Sequence, residues 1–183
     1  MKLSTARLRL DALRPDDAEA LFAYRANPVV ARFQGWCPVD LAAAREFIDA
    51  QTAATPDRAG GWFQRAIRLC DDGTLIGDLG VHLPEQTEAS VEFGVSIAPY
   101  HQGSGYASEA VRALFELVFG QLGLHRIHAS VDPRNLASMA MLRRLGMRQE
   151  AHHRESLWLH GEWVDDVVFA LLSSEWRASR LAD

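Results

Sequence analysis

Apolar residues recur along this chain with two different periods. Ala6, Leu8, Leu10 and Ala12 alternate with Arg7, Arg9 and Asp11, which predicts a half-buried strand over residues 6–12. Three more strand-like runs cover Trp62–Leu69, 75–83 and 89–97. An Asp71-Asp72-Gly73 turn and a turn near Pro84 separate them, so they predict an antiparallel meander. In the third, Val91, Phe93, Val95 and Ile97 share one face, and Glu92, Gly94 and Ser96 share the other. Alternation returns over Arg126–Val131, and again over 151–159 and 163–172, the last two joined at His160-Gly161.

A period near 3.6 marks the helices. Arg14-Pro15-Asp16-Asp17 opens one with Leu21 and Phe22 on its apolar face, and Asn27-Pro28 ends it. Asp40 is the expected N-cap of a second, whose face carries Leu41, Ala44, Phe47 and Ile48. The longest stripe is Val111, Leu114, Phe115, Val118 and Phe119. A helix over 136–145 stops at Gly146, and residues 173–183 read as a short helical tail. The strand at 89–97, the long helix and the strand at 126–131 form a unit whose strands should run parallel with a right-handed crossover. About seven strands interleaved with helices give an α/β (α+β) class with a mixed, mostly antiparallel sheet. Residues 1–183 read as one domain, with 55–61 as a loop too short to divide it.

Composition narrows the partners. A net charge of −5 argues against general nucleic-acid binding. No apolar run approaches membrane-spanning length, and Met1 to Arg7 lacks a signal-peptide core. Cys37 and Cys70 show neither metal spacing nor a disulfide framework, so a reduced, cytoplasmic setting is expected. His152-His153 has no third ligand at a recognisable spacing, and no metal site is read.

The candidate chemistry gathers where the strand at 89–97 meets the long helix. Gln102, Gly103, Ser104, Gly105, Tyr106, Ala107 and Ser108 form the connecting loop and the helix start. Two glycines allow close backbone approach, and a helix N-terminus offers unpaired N–H donors to a phosphate. On loop chemistry alone, an anion cradle and a plain turn into a helix are equally good readings. A dinucleotide-binding fingerprint fails, because the third glycine and the acid about twenty residues on are missing.

Three features in order carry a resemblance. They are the polar-faced strand ending at Ile97, the pattern Gln102-x-x-Gly105-x-Ala107 at a helix start, and Asn135-x-x-Ser138 at the start of a later helix. With Arg7-Leu8-Arg9-Leu10, Ile76-Gly77-Asp78-Leu79-Gly80, Leu145-Gly146-Met147 and Gly161-Glu162-Trp163-Val164-Asp165, the chain resembles the GNAT N-acetyltransferase superfamily. Within it, the ribosomal-protein N-terminal acetyltransferase-like subgroup fits best. The resemblance implies a single GNAT-like domain, helices on both sheet faces, a splayed strand pair at the cofactor site, and acetyl-CoA as co-substrate without a metal. It places the pyrophosphate on the 102–108 loop and the pantetheine arm on main-chain groups of Val95, Ser96 and Ile97. It gives Asn135 a contact with the cofactor arm and puts the Ser138 hydroxyl near the sulfur. Asn135 is also a good N-cap, which would explain it without a ligand.

The implied reaction is direct attack of a primary amine, on a small molecule or a protein N-terminus, within a ternary complex. Glu92 is the first candidate base, on the polar face of the strand beside the expected thioester; a solvated strand carboxylate is the other reading. His82 and Asp78 are second choices, and His128 reads as a structural histidine. Phe33, Trp36, His82 and Glu92 are the candidate acceptor contacts, with Glu85 and Glu88 in the turn beyond; a plug over the core is the somewhat commoner place for a lone Trp such as Trp36. A non-catalytic acyl-CoA-binding module on the same fold is the alternative function. Pairing of two copies through the C-terminal hairpin is left open.

Overall fold

A computed structural model describes residues 1–53, 60–83, 85 and 90–181. Residues 55–59 of the loop expected at 55–61, Pro84, Glu88 and the last two residues lie outside these. Among the described residues eight strands form one sheet: β1 (Leu3–Ser4), β2 (Leu8–Asp11), β3 (Trp62–Leu69), β4 (Leu75–His82), β5 (Val91–Ile97), β6 (Arg126–Val131), β7 (Arg148–Leu159) and β8 (Glu162–Leu172). Their order is β1-β2-β3-β4-β5-β6-β8-β7. β5 and β6 run parallel, as the crossover predicts; every other neighbouring pair is antiparallel. The sheet has one strand more than the seven expected. β1 is the addition, and two residues are too few to show a period.

The helices are α1 (Ala18–Arg25), α2 (Pro28–Ala31), α3 (Leu41–Ala53), α4 (Tyr106–Phe115), α5 (Leu136–Arg144) and α6 (Ser173–Leu181). A 3-10 turn at Pro15–Asp17 leads into α1, and α4 widens into a π-helical stretch at Glu116–Gln121. Asn27-Pro28 does more than end a helix. The Asn27 Oδ1 accepts the Val29 N–H at 3.0 Å, so it caps the one-turn α2 that follows.

The sheet is covered on both faces, with a separate apolar cluster under each. Strand alternation sorts the residues. Ile67 and Ile76 join the cluster that holds Leu114, Phe115 and Phe119 of the long helix and Leu142 of α5. Their neighbours Ala66 and Leu75 join Leu21, Tyr24, Ala44 and Ile48 beneath α1 and α3. The α1 face also holds a buried ion pair. Asp78 on β4 is fully buried and accepts from Arg25 Nη2 at 2.5 Å and from the Tyr24 hydroxyl at 2.7 Å. Burial pushes the Tyr24 phenol well above its ordinary range, and the Asp78 charge pushes it further. Arg25 and Tyr24 thus satisfy Asp78, which makes it an anchor for α1.

Candidate active site

The sheet opens where β5 and β6 part. They pair only at Val91↔Ile127 and Glu92↔His128. β5 stays paired with β4 as far as Gly77↔Ile97, and β6 stays paired with β8 as far as Val131↔Val167. The gap therefore lies between two supported strands, with the Glu92/His128 rung at its apex. Beyond that rung the β5 edge has main-chain groups with no β6 partner, so an extended chain could add there.

Two cavities meet at the gap. The larger, about 1100 Å³, lies on the α4/α5 side and is lined by Val95, Ile97, the glycine loop, and Ala137, Ala140 and Met141 of α5. The smaller, about 130 Å³, is lined by Phe93, Gly94 and Val95 of β5, Ala129 to Asp132, Asn135 and Ser138, and reaches Phe33 and Gln34. Gln34 accepts from Arg25 at 2.8 Å, which fixes that end to the α1 side of the sheet. Val95 and Met141 line both cavities.

The glycine loop is held open by its backbone. Gly103 and Gly105 have φ of 76° and 81°, the left-handed region that glycine adopts without strain. Gly105 is the N-cap of α4, and the first bond of the helical ladder is Glu109 N–H to the Gly105 carbonyl at 3.0 Å. The amides of Tyr106, Ala107 and Ser108 precede that ladder and face the larger cavity's wall with the helix dipole behind them. Gln102 folds back, its Nε2 donating to the Ile97 carbonyl at 2.8 Å, and so ties the loop to the end of β5.

A second tie comes from the far end of the chain. The Glu109 carboxylate accepts from the Thr5 hydroxyl at 2.5 Å, the Arg7 N–H at 3.0 Å and the Arg7 Nε at 2.7 Å. Arg7 Nη1 donates to the Ser104 carbonyl at 3.1 Å, and its guanidinium sits 4.5 Å from the Tyr106 ring centroid. Burial pushes the Glu109 carboxyl up, but the bonds from Thr5 and Arg7 outweigh it and hold the group below its ordinary value. Sequence periodicity places Arg7 only as the polar side of a strand; its partner is 102 residues away.

At the apex three titratable side chains form a row. Register places His82 of β4 beside Glu92, and Glu92 beside His128 of β6. Glu92 lies on the same face of β5 as Ser96, the partner of Asp78, and so on the α1 side. His128 Nε2 is 3.8 Å from Glu92 Oε2, and its Nδ1 is 2.8 Å from the Ser90 hydroxyl. Burial draws the His128 pKa below its ordinary value, against the opposing pull of Glu92. His128 thus adjoins the first candidate base, a placement that its position in a later strand did not signal.

The other candidates divide. Phe33, Asn135 and Ser138 line the smaller cavity. Asn135 Oδ1 accepts the Ser138 N–H at 3.1 Å, so it caps α5 as expected of its residue type, and the residue also lines the smaller cavity. Trp36 stacks on Phe47 with centroids 4.2 Å apart and lines neither cavity, which is the plug arrangement. The Ser96 side chain is buried on the α1 face with no hydrogen-bond partner among the described residues, away from the larger cavity. Asp132, at the smaller cavity, is held below its ordinary carboxylate value because the bonds from Arg134 outweigh burial. Among the described residues no group of three or more His, Cys, Asp or Glu could hold a metal ion, and no helix is long and apolar enough to cross a membrane.

Comparison with known proteins fits this geometry. Residues 7–148 match the model of the acetyltransferase (GNAT) domain. The chain is 30% identical over 175 residues to the uncharacterized N-acetyltransferase p20 of Bacillus licheniformis, covering 95% of this chain and 97% of that protein. It is 34% identical over 87 residues to the [ribosomal protein uS5]-alanine N-acetyltransferase of Escherichia coli, covering 48% and 45%. Among solved structures, the acetyltransferase (GNAT family) from Bacillus anthracis superposes with a TM-score of 0.85 at 25% identity, over 95% of this chain and 99% of that one. These likenesses favour an enzyme over a non-catalytic module. With a glycine loop at a helix start, a parted parallel strand pair and a domain match spanning most of its length, the chain belongs to the GNAT acetyltransferase family and is an acyltransferase.

Proposed function

We propose that the protein transfers the acetyl group of acetyl-CoA to a primary amine by direct attack within a ternary complex. The observation that carries this reading is the parting of β5 from β6 just beyond Glu92, with cavities of unequal size meeting there at Val95 and Met141. The larger cavity suits the donor. Amides at the start of α4 supply hydrogen bonds for a pyrophosphate, and the free edge of β5 supplies them for the amide-bearing pantetheine arm. The smaller cavity suits the acceptor, with Phe33 as an apolar wall; Glu92 and His82 line neither cavity and stand at the apex rung next to Phe93, which does line it.

The chemistry then follows from the positions. The amine must be neutral to attack, so a proton has to leave it near neutral pH. Glu92 takes that proton, directly or through water. The nitrogen bonds to the thioester carbon, and a main-chain N–H of β5 beyond the apex stabilises the developing oxyanion. The carbon–sulfur bond breaks, and the Ser138 hydroxyl, which lines the smaller cavity, is the proposed hydrogen-bond donor to the departing thiolate. No covalent enzyme intermediate is needed, and Cys37 and Cys70 stand outside both cavities. The likeness to a relative named for acetylating the alanine of a ribosomal protein supports a protein N-terminus as the first acceptor class to examine, beside small amines.

The test is an acceptor screen with acetyl-CoA, following CoA release and checking product masses. On the amine so identified, Glu92→Gln should lower kcat by about 10²- to 10⁴-fold, the usual worth of a general base. Ser138→Ala should lower it less, with little change in acetyl-CoA affinity. Full turnover in Glu92→Gln across the pH range would remove Glu92 from this role.

A further inference from the structure

We propose a second anion subsite in the larger cavity, formed by Arg112 and Arg144 and shaped for a phosphoryl group separate from the pyrophosphate. The proposal rests on the reading of that cavity as the acetyl-CoA site. Five charged side chains line it: Arg7, Glu109, Arg112, Glu116 and Arg144. Both acids are already committed. Glu109 is held by Arg7 and Thr5, and Glu116 pairs with Arg180 of α6. Arg112 and Arg144 have no side-chain hydrogen bond or ion pair among the described residues. Most arginines of this chain are otherwise engaged, as at Arg25, Arg68, Arg126, Arg134 and Arg148. Even the adjacent Arg143 donates to Gln149 and stacks on Phe169.

Two guanidinium groups without an acidic partner among the described residues line one cavity and give it a positive charge that a bound anion would neutralise. The positions fit a second group. Arg112 is one helical turn beyond Ser108 on α4, so it lies farther along the same wall than the amides of the glycine loop. Arg144 is the last residue of α5, a different element lining the same cavity. The ligand therefore carries two separated anionic centres, a pyrophosphate at the helix start and a phosphomonoester about one turn farther along α4. In acetyl-CoA the second centre is the 3′-phosphate of the ribose. Arg112 and Arg144 would thus set the preference for CoA over its 3′-dephospho form.

Calorimetric titration of the full chain with CoA and with 3′-dephospho-CoA tests this. The wild type should bind CoA at least about tenfold more tightly, a difference of about 1.4 kcal/mol. The double substitution Arg112→Gln/Arg144→Gln should lose that margin by weakening CoA alone. The lysine pair Arg112→Lys/Arg144→Lys, which keeps the charge and tests the fold, should retain most of it. Equal binding of both ligands by the wild type, or equal weakening of both in the glutamine variant, would overturn the subsite while leaving the cofactor reading intact. Binding of neither ligand by the wild type would overturn the cofactor reading and the subsite together.

Discussion

His128 shows how much a single side chain depends on what lies beside it. As one polar residue in an alternating strand it has an ordinary structural explanation. In the folded chain its two ring nitrogens approach the Ser90 hydroxyl and the Glu92 carboxylate. Burial lowers its pKa, Glu92 raises it, Arg126 lowers it further and Glu150 opposes that; the net displacement is downward. As pH falls, the unfolded chain therefore takes up this proton before the folded one does. The stability associated with the neutral ring is present above the unfolded value of about 6.5. It is lost as pH falls from there through the folded value. His128→Gln removes the titration, so its urea midpoint should fall less than that of the wild type between pH 7 and pH 5. A steeper fall in the variant would mean that the ring is stabilised in its charged form.

At the scale of elements, the glycine loop depends on a contact that no local pattern reveals. Glu109 sits in the first turn of α4 and receives three hydrogen bonds from Thr5 and Arg7. Arg7 in turn holds the Ser104 carbonyl, so the loop is braced by the connection between β1 and β2. Glu109→Ala should leave kcat at saturating donor unchanged and raise KM for acetyl-CoA about tenfold, which corresponds to about 1.4 kcal/mol of lost preorganisation. A fall in kcat with KM unchanged would place Glu109 in the chemistry instead. What the sequence discloses and what it conceals divide along this line. The stripe from Val111 to Phe119 and the alternation from Val91 to Ile97 are local, and they located α4 and β5 on sight, with the parallel β5/β6 pair following from the crossover. Arg7 with Glu109, Ser90 with His128, and Trp36 on Phe47 are set by tertiary packing, to which periodicity is blind. β1 is too short to carry a period, and Asn27-Pro28 reads as a stop although the same residues cap the next helix.

Across the whole molecule, the proposed reaction divides two tasks between two cavities that share Val95 and Met141. In the proposed reaction the donor takes the larger cavity, built from α4, α5 and the glycine loop, and the acceptor takes the smaller one, which reaches Phe33 and Gln34. The gap between β5 and β6 lies where the two cavities meet. Gly94 stands in that gap, lines the smaller cavity but not the larger, and a Cβ added there would meet nothing within 4 Å. A Cβ at this position is therefore free of clashes with the fold, and a larger side chain is expected to narrow the smaller cavity that Gly94 lines. Its φ lies outside the left-handed region, so a substituted residue carries no backbone strain. Gly94→Leu should keep the melting temperature within a few degrees of the wild type, since a surface change of this kind is worth about ±0.5 kcal/mol. It should bind acetyl-CoA as the wild type does and lose acetyl transfer, most severely to bulky acceptors. Small amines should be affected least, because they need least of the cavity. If Gly94→Leu weakens acetyl-CoA binding as strongly as it weakens turnover, the two sides are not separable in this way, and the donor must occupy the smaller cavity as well.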